Sequence, residues 1–306
     1  MYILGLNAYH GDSSACIFKD NKLVAAIEEE RIRRIKHWAG FPSESIKFCL
    51  GECDISIQDV DHITISRDPS ANIYKKITHS IKHAVSLKVL KDRFKNTRKV
   101  NSVKQELSNV FSINEAEIKA EVHNIEHHRS HMASAFFASP FEDSAILSID
   151  GFGDFTSTMI GIGRDKKIEV LDSVVYPHSV GVFYTAFTQY LGFEHYGDEY
   201  KVMGLSPYGR PTLVDKVKDV LIFKSNGLFE INKKYFKHPK EGVSMSWENG
   251  DPFIESIFSD YMVEVFGKAR LKDEEITQFH KDLASSIQKV TEELMFAQPM
   301  QMSPLN

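Results

Sequence analysis

The sequence predicts an α/β fold of two related lobes. Three observations carry this. Short apolar or alternating runs joined by tight turns come in threes, near residues 2–29 and again near 144–174. Helical patterns lie between and after these triplets. The 306 residues are 42% hydrophobic and 26% charged, a soluble composition with apolar material enough for two cores. The lobes are expected over 1–120 and 121–296, with 297–306 an irregular tail.

The first triplet is "YILGLNA" (2–8), "SSACIF" (13–18) and "KLVAAIEE" (22–29), the last following an Asp20-Asn21 turn. A strand, a Gly/Asp/Ser turn and a hairpin back is also how actin-like ATPase lobes begin, the turn approaching phosphate. "FPSESIKFCLGECD" (41–54) reads as a helix capped by Ser43, and "DHITISRD" (61–68) as a buried strand. Residues 70–99 are helical in character, with Ile73, Ile77 and Ile81 four apart. From Lys75 to Lys104 ten Lys/Arg face a single acid, Asp92. That run reads as a solvated face or as a docking surface for an anionic partner.

In the second lobe, 116–128 is expected as a strand and "SHMASAFFAS" (130–139) as a helix. "SAILSID" (144–150), "TSTMIGIG" (156–163) and "KKIEVLDSV" (166–174) form the second triplet around a "GFGD" turn. Helices are expected over 180–193, over 198–209 (stopped by Pro207 and Gly209), and over 273–296. The net charge of −5 does not favour nucleic acid as a partner of the whole molecule. Three cysteines make no disulfide framework and suit a reducing compartment, with Cys49 and Cys53 read as core packing. Without a basic leader or a long apolar run, a cytoplasmic protein with no membrane partner is expected.

The chemistry concentrates in "EHHRSH" (126–131) and "SIDGFGD" (148–154). His127 and His131, four apart, share a face if the segment is helical. Asp150 could add an oxygen, and two imidazoles with one carboxylate leave coordination positions open for Fe(II), Mn(II) or Zn(II). A zinc-protease reading fails, because position 128 holds His where that motif needs a glutamate base. Gly151 and Gly153 would let backbone amides approach a phosphate. Alternatively, the histidines are a structural cluster and the glycines a hairpin turn.

"GLNAYHGDSSACIFKDNKLVAAIEEERIRRIKHWAGFP", "HHRSHMASAFFASPFEDSAILSIDGFGD", "YLGFEHYGDEYKVMGLSPYG" and "FHKDLASSIQKVTEE" together resemble the O-carbamoyltransferases of nodulation-factor and antibiotic biosynthesis. Those enzymes are related to the tRNA threonylcarbamoyl-transferring proteins. The resemblance implies an actin-like ATPase (ASKHA) fold. It also implies transfer of a carbamoyl group from carbamoyl phosphate, with ATP and through a carbamoyl-adenylate, to a hydroxyl of a sugar or natural product. It places the metal ligands on His127, His131 and Asp150, and the group acting on the acceptor hydroxyl on His10, with Asp12 beside it. Lys36 and Arg67 fall where substrate phosphate or carboxylate is met. Asp150, Gly151, Gly153, Glu199, Lys201 and Gly204 fall along the nucleotide cleft. The family's later glycine-rich strand and YrdC-like domain are absent here. The chain is therefore expected to be weak or inactive alone, and open to self-association through the truncated lobe. The competing expectation is a non-catalytic actin-like binding module.

Overall fold

A computed structural model of the chain describes residues 1–82, 103–243 and 245–301. They divide into two compact units. One holds Met1–His127 with Met245–Phe253; the other runs on from His128 apart from that hairpin.

The first unit opens with β1 (Tyr2–Asn7), β2 (Ser14–Lys19) and β3 (Lys22–Glu28), an antiparallel meander. Asp20 and Asn21 both take positive φ, 49° and 65°, the two-residue turn whose twist matches the flanking strands. Next come α1 (Glu29–Arg33), α2 (Ser43–Glu52), β4 (His62–Ile65), α3 (Ile73–Lys82), α4 (Val103–Phe111) and β5 (Glu121–Asn124). The sheet order is β3-β2-β1-β4-β5, with β1, β4 and β5 parallel. That order and these directions are those of an actin-type lobe.

Strand alternation sends Leu4, Leu6, Ala15, Ile17, Ile63 and Ile65 to one face, where α2 adds Ile46, Cys49 and Leu50 and α4 adds Val103 and Leu107. Each buried leucine, isoleucine or valine among them contributes about 1.5–3 kcal/mol. All three cysteines are free, and burial pushes the Cys49 thiol up to about 12, so it serves as core. Ser43 is not the cap expected of it. It is the first residue of α2, Pro42 stands at the cap, and the Ser43 hydroxyl instead accepts from Arg33 Nη2 at 2.8 Å. Most of the basic run 75–104, and the helix expected to continue to 99, lie outside the described residues.

The second unit repeats the meander. After α5 (His127–Phe137), the strands β6 (Asp143–Gly153), β7 (Thr156–Arg164) and β8 (Lys167–Val175) form an antiparallel sheet in that order. Among the described residues, no parallel fourth strand joins them. The 116–128 segment is not one strand: a 3-10 turn at Glu115–Glu117 precedes β5, and the helix already begins at His127. Of "GFGD", only Asp154 belongs to the turn. β6 runs through Gly153, and Asp154 and Phe155, both at positive φ, make the reversal.

Ser179 caps α6 (Val180–Tyr190), its hydroxyl accepting from Val182 N at 3.1 Å. That helix buries Phe183, Phe187 and Tyr190, whose rings pack edge to face. α7 (Glu199–Leu205) passes into a 3-10 turn, Ser206–Tyr208, which tolerates Pro207 near its start. The last helix, α8 (Gln278–Gln301), buries Leu283, Ile287, Val290 and Leu294 on one stripe. It begins five residues later than expected and takes in residues 297–301, read from sequence as tail.

Candidate metal centre

The position of α5 follows from its buried stripe. His128, Met132 and Phe136 are four apart and inaccessible. His128 Nδ1 lies 2.8 Å from Ser148 Oγ on β6, while Met132 and Phe136 pack with Ile146 and Met159. They fit because β7 carries glycine, with no side chain, at positions 161 and 163. A Cβ on Gly161 would strike Met132 Cε, and one on Gly163 would lie 2.6 Å from the Phe136 ring. With 128, 132 and 136 turned to the sheet, His127 and His131 fall together on the adjoining flank.

His131 Nε2 lies 3.5 Å from Asp150 Oδ2 near the end of β6. The unit division falls between His127 and His128, inside the first turn of α5, so this group belongs to one helix and the strand it packs on. One ligand atom from each of His127, His131 and Asp150 falls within 4.8 Å of the others. Small side-chain rotations would bring such atoms to the spacing that bonds of roughly 2.0–2.2 Å require.

The supports orient these donors. His127 Nδ1 is 3.3 Å from the Ser66 carbonyl; a carbonyl only accepts, so Nδ1 carries the proton and Nε2 the lone pair. Asp150 Oδ1 accepts from Gly151 N at 2.6 Å, which leaves Oδ2 turned to His131. Ser179 Oγ reaches the Asp150 and Gly151 carbonyls at 3.1 and 2.7 Å. α6 then presses close: a Cβ on Gly181 would lie 2.7 Å from Gly151 N and 2.9 Å from the Asp150 carbonyl carbon. The donor set, two imidazoles and a carboxylate on a braced strand end, fits a borderline divalent cation.

The other residues singled out from sequence divide between the units. In the first, His10 sits in the β1–β2 loop with its ring 5.6 Å from that of His127. Its Nδ1 faces the Gly11 carbonyl at 3.2 Å, so Nε2 again holds the lone pair. Asp12, at φ 62°, places Oδ1 2.8 Å from His37 Nδ1, and Asn7 Nδ2 donates to the Asp12 carbonyl at 2.9 Å. Arg67 follows directly on Ser66, whose carbonyl meets His127, and Lys36 is exposed on the segment before His37.

In the second unit, Glu199 Oε1 accepts from Thr185 Oγ1 at 2.6 Å, one turn along α6 from Gly181. That hydroxyl also lies 3.1 Å from the Gly181 carbonyl, so Glu199 is tied to the helix that braces Asp150. Lys201 pairs with Asp198 at 2.7 Å. A Cβ on Gly204 or on Gly151 would meet nothing within 4 Å, leaving open space at both. The Gly151 amide, expected to face phosphate, already binds its neighbour's carboxylate. Sequence reading passed over His37, Ser66, Ser179, Gly181 and Thr185. Only Ser179 carried a local signal, a serine opening the apolar run "VGVF".

A family model described as Carbamoyltransferase N-terminus matches residues 2–303. The chain belongs to this family. The Synechocystis sp. protein sll1178 is 35% identical over 306 residues, covering 96% of this chain and 47% of its own length. Nodulation protein NolNO of Sinorhizobium fredii is 30% identical over 298 residues, covering 95% of this chain and 38% of its own. This carbamoyltransferase-family chain thus spans less than half the length of these two curated relatives. Among solved structures, YeaZ from Pseudomonas aeruginosa aligns with 58% of this chain and 68% of its own at a TM-score of 0.31 and 13% identity. An Aquifex aeolicus Ppx/GppA family member aligns with 98% of this chain and 90% of its own, at 0.34 and 13%. No helix among the described residues is long and apolar enough to cross a membrane.

Proposed function

We propose that this chain carries the metal-holding and acceptor-activating part of an ATP-dependent O-carbamoyltransferase. Its substrates are carbamoyl phosphate, ATP and a hydroxyl of a sugar or natural product. The supporting observation is the approach of His127, His131 and Asp150, on the supports just described, with His10 beside His127. Those three residues would hold the divalent cation, Fe(II) first, with Mn(II) or Zn(II) as substitutes. When bound, such an ion supplies positive charge opposite phosphate oxygens.

The chain's own work is proton removal and orientation. An alcohol is a weak nucleophile near neutral pH. His10 Nε2 takes the hydroxyl proton as the alcohol oxygen bonds to the carbamoyl carbon, and the bond from that carbon to the adenylate oxygen breaks, releasing AMP. Asp12 and His37 shape the loop that presents His10. Lys36 and Arg67 offer cationic groups to carbamoyl phosphate, and Glu199, Lys201, Gly204, Gly151 and Gly153 line the nucleotide's side.

The test pairs metal content with turnover. The purified chain should retain Fe(II) or Mn(II), and His127→Ala with His131→Ala should remove the equivalent held there. In a protein joining this chain to the remaining length of a relative, carbamoyl-phosphate-dependent release of pyrophosphate from ATP, the adenylate-forming step, should survive His10→Asn. Transfer to the acceptor should fall by about 10²–10⁴ in that variant. Unchanged metal content in the double variant, or undiminished transfer in His10→Asn, would refute the reading.

A further inference from the structure

A second convergence of ligand-type side chains lies in the first unit, on a different surface of its sheet. β4 and β5 run parallel in the register His62↔Glu121, Ile63↔Val122, Thr64↔His123. Ile63 is wholly buried and Val122 packs against the same core, so alternation sends His62, Glu121 and His123 together to the opposite face. There His62 Nδ1 lies 3.0 Å from His123 Nε2, the ring centroids 5.1 Å apart. Glu121 Oε2 is 3.8 Å from each of these two nitrogens.

Without metal one proton can sit between the two rings as an N–H···N hydrogen bond, and a cation can take its place. Two facing imidazole nitrogens at this distance cannot both carry N–H groups, and two imidazolium ions would repel. Glu121 is equidistant from both and too far from either for a charge-assisted hydrogen bond of about 2.7–2.9 Å. A tetrahedral ion with bonds of roughly 2.0–2.2 Å needs its donors about 3.3–3.6 Å apart. The observed 3.0, 3.8 and 3.8 Å bracket that spacing. The side chains of His62 and His123 are 34% and 36% exposed and that of Glu121 70%, so an ion can enter from solvent and keep water as its remaining ligand.

The geometry points to a divalent transition-metal site at His62, Glu121 and His123, with Zn(II), one of the ions an imidazole–imidazole–carboxylate set takes, as its probe. It cross-links β4 to β5, residues 59 to 61 positions apart in the chain that meet only through strand pairing. It is independent of His127, His131 and Asp150 and of the proposed transferase activity.

The experiment is Zn(II) titration of the metal-stripped chain by calorimetry, with Co(II) absorption as the spectroscopic check. Wild type should bind one equivalent that His131→Ala leaves in place and that His62→Gln with His123→Gln removes. Glu121→Gln, at an exposed strand position where folding is not at stake, should weaken that equivalent by about tenfold or more, at least what losing a supporting partner costs. Zn(II) should raise the Tm of His131→Ala but not of the variant that carries His62→Gln and His123→Gln on top of His131→Ala. The site is refuted if the His62/His123 variant retains every Zn(II) equivalent of wild type, or if Glu121→Gln binds with unchanged affinity. Should His131→Ala lose no metal, only the proposed transferase centre fails, because the two sets of ligands are read separately.

Discussion

Glu29 has no solvent exposure, yet its carboxylate is fully engaged. Arg33 Nε donates at 2.7 Å, Ser45 N and Oγ both at 2.8 Å, and Glu44 N at 3.1 Å. A charge in this position ties α1 to the first turn of α2, while the Arg33 guanidinium stacks 4.5 Å over Trp38. Glu29→Ala strands a cation and two backbone amides, and we expect a loss of about 3–5 kcal/mol in urea unfolding. Glu29→Gln should cost less, because it keeps an acceptor. Equal midpoints for wild type and Glu29→Ala would show that the network contributes nothing. The same reasoning from donors and acceptors fixes the tautomers of His10 and His127, each with its Nδ1 proton directed to a backbone carbonyl.

Between elements, the candidate centre depends on two close approaches. α5 lies on β7 because Gly161 and Gly163 leave room for Met132 and Phe136, and α6 braces β6 because Gly181 lets two backbones nearly touch. A methyl group at 181 meets main chain, which cannot rotate away. Gly181→Ala should therefore destabilise by about 1–3 kcal/mol and also weaken metal binding, through displacement of Asp150. A urea midpoint and a metal titration on the same sample check this. Destabilisation with unaltered metal affinity would mean that Asp150 is not positioned by α6.

At the scale of the whole molecule, buried histidines set the acid response. Burial holds His238 down to about 4, and its Nε2–H donates to the Pro177 carbonyl at 2.9 Å. Burial likewise lowers His178, whose Nδ1 accepts the Ile231 amide at 3.1 Å, a bond only the neutral ring can make. Between pH 6.5 and about 4 the unfolded chain binds more protons than the folded one, so stability rises with pH across that window. It is lost as pH falls, by on the order of 3 kcal/mol for His238, and the term is flat above about pH 6.5. Urea midpoints measured from pH 7.5 to pH 4.5 should fall, and His238→Gln should flatten the slope. An identical slope in that variant would remove His238 as the cause.

Local chemistry made much of this legible. The Asp20-Asn21 reversal, the strand triplets and the i, i+4 placement of His127 and His131 each depend on hydrogen bonds or periods spanning a few residues, and these the chain states openly. The family, too, could be read from motifs in order along the chain. Tertiary structure alone decided that β6 extends through Gly153, that Gly151 spends its amide on Asp150, and that Asp150 meets His131. It alone put His62 against His123. Those contacts follow from strand register and helix docking, which join positions far apart in sequence and are set by which side chains leave space for which. No local period records them.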